Sequence, residues 1–130
     1  MRTITLVTGI LLCLCSSCKK EFSKECELIP AQIIKFDCDR VILELETSKT
    51  FGDREWTDVL SGEKFNNVVS FYDICLMQQI TNGEKIKLYV NLEEDKGNAV
   101  PGCRGCQALS LNPPKSKVIL TKIRKTPCGR

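Results

Sequence analysis

From Ile29 onward, apolar and polar positions alternate with a period of two, the pattern of strands that bury one face. Ala31-Gln32-Ile33-Ile34-Lys35-Phe36 predicts a first strand, entered after Pro30. Asp37-Cys38-Asp39 interrupts it as a turn. Arg40-Val41-Ile42-Leu43-Glu44-Leu45-Glu46 predicts a second strand, with Val41, Leu43 and Leu45 on one face and Ile42, Glu44 and Glu46 on the other. These two are expected to form a hairpin. Residues 68–76 (Val68 to Leu76) predict a third strand, apolar on both faces and therefore central in its sheet. Lys85 to Leu92 is the most regular stretch: Ile86, Leu88, Val90 and Leu92 face inward, and Lys85, Lys87, Tyr89 and Asn91 face outward. Lys117 to Ile123 gives the fifth strand.

The connections read differently. Residues 47–67 are polar and broken by Gly52 and Gly62. Inside them, Asp53 to Leu60 predicts a short helix, with Asp53 as N-cap and Trp56, Val59 and Leu60 sharing one side at i, i+3 and i+4. On that reading the single tryptophan, Trp56, closes one end of the core; a ligand platform is the alternative. Asn82-Gly83 marks a turn, and Glu93 to Asn98 a solvated loop. Pro101, Gly102, Gly105, Pro113 and Pro114 make the following stretch irregular.

Five strands and one short helix in residues 29–130 predict a single all-β domain. Its expected form is a small five-stranded antiparallel barrel or an open sandwich, because closure removes exposed edges. The strand order resembles an OB-fold. That family places its helix between strands three and four, whereas the helix expected here falls between two and three.

The N-terminus has a different pattern. Met1-Arg2 is a short positive start, and Ile4 to Leu14 is an apolar run too short to span a bilayer, as in a secretory signal. Three cysteines follow or interrupt it. Cys13 is preceded by Leu12 and Cys15 by Leu14, both bulky, while Cys18 is preceded by Ser16-Ser17. Ser16-Ser17-Cys18-Lys19-Lys20-Glu21 resembles the lipobox of bacterial lipoproteins, in particular those of the Bacteroidetes group. Cys15 stands where that family usually has leucine. The resemblance implies removal of residues 1–17, a diacylglyceryl thioether and an acylated amine on Cys18, and a tether over 18–28. It places the protein in the cell envelope, anchored to a bilayer expected to be the outer membrane. Two or more acyl chains hold firmly where one holds marginally, at ~0.8 kcal/mol per buried methylene. The tether's Lys19, Lys20 and Lys24 are largely offset by Glu21, Glu25 and Glu27, so it reads as solvated and leaves the face of the membrane open.

An exported location changes the reading of the remaining cysteines. The chain has nine, and six lie beyond the leader: Cys26, Cys38, Cys75, Cys103, Cys106 and Cys128. An even number in an oxidising compartment predicts disulfide braces, with pairing open among fifteen connectivities. Cys103-Arg104-Gly105-Cys106 also fits a redox dithiol or part of a metal site. It lies in a Gly/Pro loop and not at a helix N-terminus, and Gln107 stands where a c-type haem would need histidine, so bracing is preferred.

Charge and composition exclude more than they assign. There are 19 Lys and Arg against 16 Asp and Glu, a net charge of +3, too small to mark a nucleic-acid binder. There is no histidine, which excludes Ser-His and Cys-His catalysis. Asp37/Asp39 and Glu44/Glu46 read as a turn and an exposed strand face. Lys115, Lys117, Lys122, Arg124, Lys125 and Arg130 form a basic C-terminal run without acids. Lys122, Arg124 and Lys125 are candidate contacts for an envelope protein or an anionic glycan or lipid; without interleaved aromatics they do not suit nucleic acid. The expectation is a non-enzymatic envelope binding or structural module without a cofactor. A thiol–disulfide protein using Cys103 and Cys106 is one alternative. An inhibitor of a secreted enzyme, by resemblance in outline to the tissue metalloprotease inhibitors, is the other.

Overall fold

Strict alternation in one strand sorts the residues of two separate cores. Val41, Leu43 and Leu45 enter one apolar cluster, and Ile42, between them in sequence, enters a second on the other face. The computed structural model describes residues 27–97 and 111–129 of the chain. Its elements are β1 (Ile29–Phe36), β2 (Val41–Leu45), β3 (Trp56–Thr57), β4 (Lys64–Phe65), β5 (Val68–Phe71), α1 (Ile74–Thr81), β6 (Lys87–Glu94) and β7 (Val118–Arg124). Five strands form one sheet in the order β5-β2-β1-β6-β7, and every neighbouring pair is antiparallel. β3 and β4 form a separate two-stranded ribbon. Among the described residues no helix is long and apolar enough to cross a membrane.

The first cluster takes Ala31, Ile33, Val69, Phe71, Leu88, Val90, Val118 and Leu120 from the sheet, and Ile74 and Met77 from α1. The second is smaller: Ile34, Ile42 and Val68 lie under Trp56, with Phe65 packed against them. The β1–β2 hairpin pairs Phe36 with Val41, and its register shifts between Ile33 and Lys35. That irregularity lets the consecutive Ile33 and Ile34 serve different clusters. In β6, Leu88 and Val90 are buried while Lys87 and Asn91 are exposed, as their alternation predicts. β6 continues through Glu93 and Glu94, which the sequence pattern assigned to a loop.

Four expectations are corrected. The sheet is not closed into a barrel. β5 is only four residues long before the chain turns away, so it meets the β7 side at one parallel bridge, between Ser70 and Lys117 just before β7. There the Ser70 amide donates to the Ser116 carbonyl at 2.9 Å.

Second, β5 is an edge strand and not central. Its two buried faces come from the sheet core on one side and the Trp56 layer on the other. Third, the strand expected over 68–76 ends at Phe71, and the helix follows. Asp73 caps α1 by accepting from the Leu76 amide at 3.0 Å; Asn82, left-handed at φ 54°, ends it. Asn82-Gly83 is thus a helix stop.

Fourth, Asp53–Leu60 is not a helix. Glu55 has φ +53°, which ends any right-handed helix at that point. Asp53 instead exchanges backbone hydrogen bonds with Val68, at 2.8 and 3.0 Å. Trp56 is buried, but Val59 and Leu60 are 50% and 77% exposed, so the three do not share a side.

Candidate functional site

Directionality defines two ends of the sheet. β1, β5 and β7 run parallel to one another, since β2 and β6 are antiparallel to their neighbours. Ile29 therefore marks one end. The opposite end carries the β1–β2 turn with Cys38 and the start of α1 with Cys75, whereas β7 ends at Arg124 beside Tyr89, the partner of Pro30.

Two aspartates build the layer around Trp56. The Asp53 carboxylate accepts from the Lys115 amide (2.7 Å), the Ser116 amide (2.9 Å) and the Ser116 hydroxyl (2.6 Å). It thereby joins the segment before β3 to the segment before β7. Asp58 is 8% exposed and accepts from Lys35 Nζ (2.8 Å), the Leu60 amide (3.4 Å) and Ser61 Oγ (3.1 Å). Lys35 Nζ also lies 5.5 Å from the centre of the Trp56 ring. Trp56 Nε1 donates to the Asn112 carbonyl at 2.8 Å, and the Asn112 side chain donates to the Thr57 carbonyl at 3.3 Å.

These contacts set an acid response. The hydrogen bond from Lys35 holds Asp58 below the ordinary 3.8 of an aspartate, against the opposing effect of burial. At Asp53 burial pushes upward, but the bonds from Ser116 and Lys115 outweigh it and the carboxyl is also lowered. A lowered folded value stabilises fully above the unfolded value, ~3.9, and is lost as pH falls through the folded one. Thermal melts followed by circular dichroism should be insensitive to these carboxylates near neutrality and fall below about pH 4. Asp58→Asn should cost about 1.5–3 kcal/mol at neutral pH and flatten that acid slope. An unchanged slope would show that Asp58 titrates no differently in the folded chain.

A second feature lies where the sheet fails to close. Phe71, Tyr72, Asp73 and Leu76 on one side and Val118, Ile119 and Leu120 on the other line a groove of about 250 Å³. Leu76 and Ile119 are 38% and 37% exposed. The Tyr72 ring is flanked by the Arg40 guanidinium (4.9 Å) and the Lys117 ammonium (5.6 Å), and Arg40 Nε is held by Asp39 at 2.7 Å. Cations thus tie the β1–β2 turn, the end of β5 and the start of β7. Beyond the groove, Lys122, Arg124 and Lys125 are exposed along β7 and just after it.

The structure separates the sequence candidates. Trp56 is a packing residue over β1 and β2, whereas Lys122, Arg124 and Lys125 follow the opposite edge. Cys38 and Cys75 share one end, and Cys128 follows β7; Cys18, Cys26, Cys103 and Cys106 lie outside the described residues. Among the described residues no group of His, Cys, Asp or Glu is arranged to hold a metal ion. Asp58, Lys35, Asn112 and Tyr72 were not singled out from sequence, and Asp53 was read there only as a helix N-cap. Lys35 lies 23 positions from Asp58 and Ser116 lies 63 from Asp53, separations that periodicity does not reveal. Compared with protein-family models, curated proteins and solved structures, the chain matches none.

Proposed function

We propose that the protein is a lipid-anchored domain of the bacterial cell envelope, held in the outer membrane by acyl chains on Cys18, which works by binding a partner and not by catalysis. The observation that carries this reading is the position of the first strand. β1 begins at Ile29, so residues 19–28 alone separate Cys18 from the sheet. Ten residues reach at most ~35 Å at full extension, which keeps the domain beside its bilayer. Ile29 lies at the end of the sheet opposite the β1–β2 turn and the start of α1, so the anchored end and the far end are distinct.

The six later cysteines are read as braces, with Cys103 and Cys106 as structural partners. The β1–β2 turn with Cys38 and the start of α1 with Cys75 lie at one end of the sheet, which supports this. That common end suits a bridge that fastens the turn to the helix. The sheet is read as an open OB-like arrangement. Supporting that, α1 lies between the third and fourth strands of the five, and a parallel bridge links the third to the fifth.

Metabolic labelling with a palmitate analogue tests the anchor. Label should enter the wild type, Cys13→Ala and Cys15→Ala, and be absent from Cys18→Ala, which should also leave the membrane fraction. Label retained by Cys18→Ala would overturn the assignment.

A further inference from the structure

We propose that the open edge of β7 is a docking site for an extended, acidic segment of a partner protein, which adds to the sheet as a further strand. The proposal deepens the binding reading above and rests on it, but it does not depend on acylation of Cys18.

Backbone direction comes first. The Lys117 carbonyl accepts from Asp95 beside β6, and the Ser116 carbonyl accepts from Ser70 on the β5 side. Since successive residues of a strand point their amides to opposite sides, Val118 and Leu120 face away from β6; the Ser70–Lys117 bridge engages the Val118 amide, so Leu120 is the first to present its backbone groups to the groove. β5 stops at Phe71 and α1 begins at Ile74, so among the described strands none continues along β7 beyond the Ser70–Lys117 bridge. Main-chain hydrogen bonding of this kind gives an added strand its affinity, and side-chain pockets give it specificity.

The groove supplies such a pocket. Leu76 and Ile119, each more than a third exposed, flank it, and Phe71, Val118 and Leu120 form its floor. An aliphatic side chain of an incoming strand fits between them. The Asp73 carboxylate on its rim is already engaged by the Leu76 amide.

Charge selects the occupant. Residues 115–129 contain no acid, and Lys122, Arg124 and Lys125 stand exposed along the line an added strand would follow. A second copy presenting the same edge would bring like charges together. Polyanions without a strand backbone would meet the cations but leave the Leu120 backbone and the apolar groove unused. An extended peptide alternating acidic and aliphatic residues satisfies all three features.

The test is a titration of the full, isotope-labelled chain in detergent micelles with a short synthetic peptide alternating glutamate and valine. Its lysine counterpart and oligo-dT serve as comparison probes. The expected result is saturable binding of the acidic peptide, with amide shifts centred on Leu120. Lys122→Glu with Arg124→Glu, and separately Leu76→Asp, should weaken it by about tenfold or more. Lys49→Glu with Lys64→Glu, an equal charge change on exposed residues of other segments, should change it by about twofold or less. Melting curves confirm that each variant is folded. Overturning results are no saturable binding, equal loss in both charge pairs, oligo-dT binding as tightly as the peptide, or shifts that avoid Leu120. Labelling at Cys18 is read separately, so failure of the anchor and failure of the docking edge are distinguishable.

Discussion

Trp56→Ala is expected to destabilise the protein by about 3–5 kcal/mol, the cost of emptying a large buried aromatic site. Trp56 is 5% exposed and forms the lid of the second apolar cluster over Ile34, Ile42 and Val68. Its removal would expose Ile42 and Val68, both fully buried, to water. It would also strand Lys35 and Asp58, whose ion pair at 2.8 Å is shielded by the same ribbon. Trp56→Phe separates the contributions. It keeps apolar cover near Phe65, whose ring centre is 6.1 Å away, but loses the indole N–H bond to Asn112. That variant should recover most of the stability and remain about 1 kcal/mol below the wild type. Urea melts give both values. A loss below about 1 kcal/mol in Trp56→Ala would mean that the ribbon does not seal the outer face of the sheet.

Gly52→Ala is expected to cost about 3 kcal/mol, at the upper end for forcing an atom into filled space. A Cβ at Gly52 would lie 2.4 Å from the Val68 carbonyl oxygen and 2.7 Å from its nitrogen. Both contacts are to backbone, so no side chain can swing aside. The strand pairing of Asp53 with Val68 would have to open, and with it the Asp53 cradle for Lys115 and Ser116. The Phe51 and Gly52 amides both donate to Asn67 Oδ1 at 2.8 Å, which fixes this close approach from the other side. Gly62→Ala is the informative contrast. Its Cβ would meet nothing within 4 Å, but its φ is +75°, so only backbone strain of about 1–2 kcal/mol applies. Equal effects of the two substitutions would refute the close-approach account.

The parts of the fold legible in the sequence were those governed by neighbours two positions apart. β2 and β6 sorted their side chains as the alternation of Val41–Leu45 and Leu88–Val90 indicates, and the 37–39 turn joined the expected hairpin. Residues 68–81 were harder, because strand and helix abut within a continuous apolar run. Only the spacing of Ile74, Met77 and Thr81, the buried positions of α1, separates them. The 53–60 segment misled for the opposite reason. Trp56, Val59 and Leu60 satisfy a helical spacing behind an Asp53 N-cap, but Asp53 is committed to Ser116 and Val68, and Trp56 to Asn112, all distant in sequence. Local preference gives way to such tertiary bonds. Closure was likewise a matter of length: it depends on where β5 stops, which its apolar pattern did not mark. Of the candidate site, the basic run at Lys122, Arg124 and Lys125 was visible as composition. The groove beside it was not, since it arises only when β5 and β7 meet.

The most direct test of the proposed anchored, disulfide-braced domain is the intact mass of the chain extracted from membranes without reducing agent. The account predicts a polypeptide beginning at Cys18, carrying the mass of a diacylglyceryl group and an amide-linked acyl chain. Its mass should also be lower by one hydrogen for each of Cys26, Cys38, Cys75, Cys103, Cys106 and Cys128, and the difference should vanish on reduction. A chain beginning elsewhere, an unmodified Cys18, or six free thiols before reduction would contradict it.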